Sequence, residues 1–443
     1  MPYVLGIDIG GTSTTAAVAR LTQDGWTRPE PVRLGAHSFA IPSVLQLGAD
    51  GSLAVGDPTE YGQPPDRGRT ARGFARRIGD PVPMLVDGEA WTPEALTAVL
   101  ATWVIERVMA QQADRPAEHV VLSHPAGWGP YRTELLRHAL WAAGIPHATL
   151  LPEPVVAAES HACQGFTGRS LAVYALGGET FAASVVRRSR AGGFELVTGG
   201  DPGQPLGGAD FDAALLRHVR DQLGRPASTP RHQADPHPPA LAGLAAACVS
   251  AKERLTVAAE ADVRLQLPDG PTRVPVSRAE FEELIRPGLR LTVETLAGAV
   301  RAAGLTADQL DGVLLIGGSA RIPLVADLVA QRLPVGVTVE SDPQLTAAAG
   351  AAWAARQIVA PPRPSRWDRT DPGRPTPGGR APERAGPATV PARRPDLADD
   401  GRREPPPRPP VRITPLKLPR NRLAQPAAGP ANRDRTAYSR ARS

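Results

Sequence analysis

The chain has 443 residues, 42% hydrophobic but only 4% aromatic, so its core must be filled mainly by Leu, Val and Ala. The net charge of +5 is uneven: positions 361–443 carry 19 Lys+Arg against 8 Asp+Glu, a net of +11, which leaves 1–360 at −6. Cys163 and Cys248 lie far apart with no CxxC pair, no run of about 18 apolar residues occurs (95–110 is interrupted by Glu106 and Arg107), and no basic-then-apolar leader opens the chain; zinc ribbons, disulfide frameworks and membrane spans are excluded, and the expectation is a soluble cytoplasmic protein with reduced thiols.

The chain opens on an apolar run, Val4-Leu5-Gly6-Ile7, that reaches Asp8 and then Gly10, Gly11, Thr12 and Ser13. This predicts a hairpin with strands 3–9 and 14–20 around a turn at 10–13. Glycines let backbone N–H groups approach an anion, hydroxyls add donors, and an aspartate can hold the water shell of Mg2+. By itself the pattern fits a phosphate-binding turn and an ordinary glycine hairpin equally well. Strands are expected at 31–34, 43–47 and 53–55, the last two joined by a turn at Asp50-Gly51. Arg67, Arg69, Arg72, Arg76 and Arg77 then cluster in a polar segment, which reads as a solvated face.

Helical spacing of Leu96, Val99, Leu100, Trp103 and Val104 predicts a core helix over 92–109, started by Pro93. A buried strand follows at 119–123, ended by His124, which reads as a bystander without partners. A helix over 131–143 stops at Gly144, a short strand covers 149–151, and Pro152-Glu153-Pro154 starts a helix to about 163. From 170 the opening pattern repeats: strand 170–176, turn Gly177-Gly178-Glu179-Thr180, strand 181–187. Two copies of one phosphate-type hairpin are a far stronger signal than one, and two facing copies would clamp a polyphosphate.

A strand at 195–197 leads through the glycine-rich 203–208 to a helix start, an anion-friendly geometry. The loop 226–239 carries His232 and His237 without metal spacing. A helix over 240–256 holds Lys252, one of only two lysines in the chain. Strands at 262–267 and 272–276 follow, then helices at 278–286 and 288–303 separated by Pro287. Strand 313–316, the turn Gly317-Gly318-Ser319 and a helix over 323–333 form a third phosphate- or nucleoside-friendly turn. A strand at 337–339 and a small-residue helix over 347–358 complete the body. Positions 361–443, rich in Pro, Arg, Gly and Ala, read as a disordered basic tail.

Five motifs now stand in order: Gly6-Ile7-Asp8-Ile9-Gly10-Gly11-Thr12, Pro152-Glu153-Pro154-Val155-Val156-Ala157-Ala158, Tyr174-Ala175-Leu176-Gly177-Gly178-Glu179-Thr180-Phe181, Leu206-Gly207-Gly208-Ala209-Asp210-Phe211-Asp212 and Gly317-Gly318-Ser319-Ala320-Arg321-Ile322-Pro323. Over about 1–358 the set resembles the nucleotide-binding domain of the seventy-kilodalton heat-shock (DnaK-like) chaperones. The resemblance implies an α/β actin-like ATPase fold, two duplicated RNase H-like lobes around a nucleotide cleft. Lobe I would be 1–165 with 344–358, and lobe II 168–340. ATP or ADP with Mg2+ would lie between them. Asp8, Gly10, Gly11, Thr12 and Ser13 would hold phosphates and, through water at Asp8, the metal. Gly177, Gly178 and Thr180 would grip from the other side, with Gly207 and Gly208 nearby. Lys252, Thr256, Gly317, Gly318, Ser319 and Arg321 would contact the nucleoside, Arg321 stacking on adenine, and Glu153 would organise water at the γ-phosphate.

The departures from the family pattern are specific. Its γ-phosphate lysine falls on Ala75, the two aspartates of the second hairpin are Ala175 and Ala182, a glycine facing the phosphates is Glu179, the helix-start aspartate of the last motif is Gln344, and Glu253 stands where many relatives carry arginine. Arg76 is adjacent but is not a compact ammonium. Glu179 would oppose phosphate unless protonated or bridged by metal, or would replace a lost carboxylate at the magnesium waters. Each missing charged group costs on the order of 10²–10³ in rate, so weak or absent hydrolysis is expected. After 358 no β-rich peptide-clasping domain or helical lid is expected, leaving a nucleotide-dependent switch or scaffold whose lobes or tail contact protein partners. The tail's aromatics are Trp367 and Tyr438, which argues against base stacking on nucleic acid. Two alternatives stay open: an active ATPase chaperone or co-chaperone, and a glucokinase-like sugar kinase, whose opening Asp8–Thr12 also resembles.

Overall fold

A computed structural model describes residues 1–48, 53–56, 68–190, 192–199, 205–224, 238–267 and 270–360. The Asp50-Gly51 turn, Arg67, Gly203, most of the 226–239 loop with His232 and His237, and the tail 361–443 lie outside the described residues.

Two sheets share one strand order. In lobe I, Tyr3–Ile9 pairs antiparallel with Ser13–Thr22 on one side and parallel with Val120–His124 on the other, and Val120–His124 pairs parallel with Ala148–Pro152. In lobe II, Ser170–Leu176 stands between Phe181–Arg188, antiparallel, and Gly312–Ile316, parallel, which pairs parallel with Val337–Val339. The outer antiparallel neighbour is Phe194–Gly199 in lobe II and short strands such as Ala40–Pro42 in lobe I. Register makes the two hairpins equivalent position by position. Asp8 faces Thr15 and Ala175 faces Ala182, and each turn is closed by one bond, Gly10 N–H to Ser13 O and Gly177 N–H to Thr180 O, both 2.9 Å.

Strand and helix faces follow the burial the sequence encodes. Tyr3, Leu5, Ile7 and Val18 meet Leu96, Leu100, Val104 and Val108 of the helix Pro93–Gln111 in the core of lobe I. Thr92 caps that helix, its hydroxyl accepting from Ala95 N–H at 3.3 Å. In lobe II, Tyr174, Leu176, Phe181 and Val185 pack on Phe281, Leu289, Val293 and Leu296. A fully buried Leu, Val or Phe contributes roughly 1.5–3 kcal/mol, so cores with few aromatics still suffice at this size. Tyr174 Oη and Thr292 Oγ1, both buried, satisfy each other at 2.6 Å.

Two expectations need correction. Arg278–Ala302 is one helix, not two with a break at Pro287. Proline removes one backbone bond and crowds the preceding turn, but Phe281 and Ile285 before it and Leu289, Val293, Leu296 and Val300 after it bury one continuous face, and that packing outweighs the local cost of about 3 kcal/mol. A Ser277–Glu280 capping box fixes the helix start. The strand expected at 31–34 is only Glu30–Pro31; Val32 adds one further bond, N–H to Ala16 O at 2.8 Å, and Val32 and Leu34 are buried as core residues.

Two helices cross between the lobes: Glu153–Cys163 and Thr346–Val359. Their contact is backbone-close. A Cβ on Gly350 would lie 1.6 Å from Val156 O, and one on Gly6 would lie 2.1 Å from Ala352 N. Ala347, Ala348, Ala351, Ala352 and Ala355 are all buried on this helix. Glu159, also buried, ties the crossing together: Oε1 accepts from Phe194 N–H at 2.8 Å and Oε2 from Gln357 Nε2 at 3.0 Å.

Candidate functional site

Both glycine hairpins point into one cleft of about 590 Å³, a volume suited to a nucleotide-sized ligand. The cleft opens at the carboxyl ends of the parallel strands, where ligands bind in open α/β sheets. Asp8, Gly10, Gly11, Thr12 and Ser13 line it from lobe I, with Glu153. Gly177, Gly178 and Thr180 line it from the second hairpin. Lys252, Thr256, Gly317, Gly318, Ser319 and Arg321 line its far side. Gly207 and Gly208 do not. The N–H groups at that helix start are already used: Gly207 donates to Asp210 Oδ2 at 2.8 Å, Gly208 to Gly177 O at 3.0 Å and Ala209 to Gly178 O at 2.7 Å. The helix start at Gly207–Ala209 therefore buttresses the second hairpin turn instead of offering free donors.

The third turn is built for close contact. Gly317 has φ of 90°, a region that disfavours side chains, and a Cβ there would lie 2.3 Å from Leu176 O. Ser319 donates its hydroxyl to Gly177 O at 2.9 Å, joining the third turn to the second. Gln344, where the family pattern has aspartate, donates Nε2 to Ser13 Oγ at 3.1 Å and so joins the third region to the first hairpin.

Electrostatics divide the cleft. At its floor Asp8 and Glu153 face the ligand space but are ringed by protein. Burial pushes the Asp8 carboxyl up, opposed by a hydrogen bond from Ser123 Oγ, and burial followed by the nearby Asp8 charge pushes Glu153 up to about 8. Two close buried carboxyls cannot both ionise cheaply. The cations are mostly engaged. Lys252 Nζ is 2.9 Å from Asp212 Oδ2 and donates to Gly208 O at 3.3 Å, Arg321 pairs with Asp342, and Arg76 Nη1 lies 3.2 Å from Glu179 Oε2 across the cleft. Ala75, Ala175 and Ala182 line the cleft where the family pattern has charge.

Several cleft residues carry no sequence signal strong enough to single them out. Ser123 is beside Asp8 because Ile7 is in parallel register with Leu122. Recognising 3–9 and 119–123 as adjacent parallel strands would have found it. His124 is buried in the cleft wall, its Nδ1–H donating to Pro125 O at 2.9 Å and its ring stacked on Trp128 at 5.6 Å; burial holds its imidazole down and neutral. Trp128 and Arg132 also line the wall. Among the described residues no group of three or more His, Cys, Asp or Glu side chains could hold a metal by itself, and no helix is long and apolar enough to cross a membrane.

Duplicated lobes of this strand order, with a glycine hairpin from each meeting at one cleft, define the actin-like ATPase fold. Within that fold the chain belongs to the Hsp70 family: the family model described as Hsp70 protein matches residues 77–362. It is similar to the chaperone protein HscA homologs of Bordetella petrii, at 30% identity over 381 residues, of Shewanella sp. (strain MR-7), at 30% over 378, and of Verminephrobacter eiseniae, at 31% over 379; each comparison covers 80% of this chain and 58% of the relative. The chain thus spans rather more than half the length of the curated relatives it matches.

Proposed function

We propose that this Hsp70-family, chaperone-like chain binds ATP or ADP with Mg2+ between lobe I (1–165 with 344–358) and lobe II (168–340), and hydrolyses ATP slowly or not at all. The convergence of the two hairpin turns and the Gly317 turn on one cleft carries the binding reading. Within the turns Gly10–Ser13 and Gly177–Thr180, backbone N–H groups other than those of Gly10 and Gly177, which close the turns, would cradle phosphates, and Gly317, Gly318, Ser319 and Arg321 would seat the nucleoside. The donor set suits Mg2+, which keeps most of its waters and takes phosphate oxygens, needing from the protein little more than Asp8 through water. The metal would supply charge neutralisation at the phosphates.

Weak hydrolysis is supported by what the cleft lacks and by Glu153. A carboxyl held up to about 8 is mostly protonated at neutral pH and accepts poorly from an attacking water. Ala75 supplies no charge, and Arg76 beside it is engaged by Glu179. The chain then acts as a nucleotide-dependent switch or scaffold, with protein partners taken through its lobes or basic tail. Calorimetry with ATP and ADP, with and without Mg2+, beside a turnover assay with and without sugars, tests this. Binding without turnover is expected. Turnover without sugar would favour an active ATPase, sugar-dependent turnover a kinase, and absence of binding would end the nucleotide reading.

A further inference from the structure

The charge at the phosphate end of the cleft is already partly filled by the protein itself. Glu179 projects from the second hairpin turn towards the first. Its Oε2 would lie 3.4 Å from a Cβ on Gly11, so the carboxylate sits over the backbone of the opposing phosphate turn. That oxygen is buried and meets Arg76 Nη1 at 3.2 Å off the N–H direction, an ion pair without a well-formed hydrogen bond. The turns are otherwise in contact, Gly178 lying against Thr12. The cleft lining as a whole carries four carboxylates (Asp8, Glu153, Glu179, Glu253) and four cations (Arg76, Arg132, Lys252, Arg321). With Glu153 holding its proton, the lining offers little net positive charge before any ligand enters, whereas a triphosphate brings up to four negative charges.

We propose that Glu179, held by Arg76, occupies the anion position that a terminal phosphate would take over the first hairpin turn, and so makes the cleft selective for a nucleoside diphosphate over the triphosphate. This rests on the nucleotide-binding reading above. A diphosphate leaves the Glu179–Arg76 pair in place and uses the glycine turns around it. A triphosphate must bring its last phosphate against a carboxylate or break the pair to reach Arg76. Either route costs affinity for the triphosphate alone, since like charges a few ångströms apart in a partly dry cleft repel strongly. Arg76 is thereby a latent phosphate ligand, screened by an internal anion.

The test is calorimetric affinity for MgADP and MgATP in the full chain and in Glu179→Gln, which keeps size and removes charge, with Glu179→Gly as a second variant. The parent should bind MgADP at least tenfold more tightly than MgATP. Both variants should gain tenfold or more for MgATP and change less than threefold for MgADP. Adding Arg76→Ala to Glu179→Gln should abolish the gain, a non-additivity that a merely structural role would not give. An unmoved ATP-to-ADP ratio in both variants, or a parallel loss of both affinities with loss of Mg2+ dependence, would overturn the proposal, the latter by making Glu179 a metal-water ligand. In those cases ADP binding by the parent would leave the wider reading standing. No binding of either nucleotide by any form would sink that reading and this proposal together.

Discussion

Gly178 lies directly against Thr12: a Cβ built on it would come within 2.6 Å of Thr12 Oγ1 and 2.7 Å of its Cγ2. The two lobes thus touch through their glycine turns, and only hydrogen at position 178 permits it. Gly178→Ala must push the turns apart or rotate Thr12 away from the cleft. Thr12 is exposed and can move, so the fold should be little affected. We expect the melting temperature within about 2 °C of the parent and ADP affinity lower by roughly tenfold, about 1.4 kcal/mol. Calorimetry beside a thermal melt checks both.

Glu153 should give the fold a pH signature. Its carboxyl is held up to about 8, well above the ordinary glutamate value, so the folded state keeps a proton that the unfolded chain has released. Stability contributed this way is present below the unfolded value near 4.5 and is lost as pH rises towards 8. Glu153→Gln removes that slope. At pH 8 the variant should be more stable than the parent by roughly 2–4 kcal/mol, and near pH 4 the two should coincide. Denaturant titrations at the two pH values measure this. A variant with the same pH slope as the parent would show that Glu153 is ionised in the fold.

Lys252 should matter for stability apart from any ligand. Asp212, pushed up by burial and held down by Lys252, has its Oδ1 buried without a partner. Lys252→Met strands that carboxylate. The expected loss is about 3 kcal/mol at pH 7.5. It should shrink as pH falls, because the stranded Asp212 is relieved by taking a proton. Adding Asp212→Leu should recover most of the loss. Chemical denaturation of the three proteins at pH 5 and 7.5 decides the point.

Two glycines on helices should respond in opposite ways. Gly350→Ala drives a methyl into Val156 O, a backbone atom that cannot yield locally, and should cost about 3 kcal/mol or more. Gly243, on the helix Pro238–Leu255, has nothing within 4 Å of a Cβ, and Gly243→Ala should stabilise by about 0.5–1 kcal/mol. Equal effects in denaturant melts would show that the helix crossing is looser than the geometry indicates.

The fold was legible because its two hairpins are written twice in the same order of residues. Asp8 precedes Gly10 as Ala175 precedes Gly177, and the structure gives the two pairs the same register and the same turn bond. Apolar spacing places nearly every helix but not the continuity of Arg278–Ala302 across Pro287, because spacing alone does not rank a buried face against a local breaker. The cleft was legible where glycine turns form its lining, at Gly10–Ser13, Gly177–Thr180 and Gly317–Ser319. It was less legible where partners come from distant segments. Arg76 with Glu179, and Lys252 with Asp212, are separated by too many residues for any local pattern to join them. At Gly207 and Gly208 a glycine-rich helix start resembles an anion site, while in the structure Gly208 and Ala209 N–H donate to Gly177 O and Gly178 O and Gly207 N–H to Asp210.

The alanine-rich helix that crosses Glu153–Cys163 has a mechanical consequence. Its buried face offers methyl groups and a bare Gly350, and Gln357 ties it by one side-chain bond to Glu159 of its neighbour. Alanine and glycine have no rotamers to reorder, so a small turn of one lobe about this contact sacrifices no side-chain entropy and breaks no interdigitated ridge. Low friction is matched by tight clearance, since backbone meets backbone there. A contact of this kind resists closer approach far more than it resists a small rotation of one helix on the other.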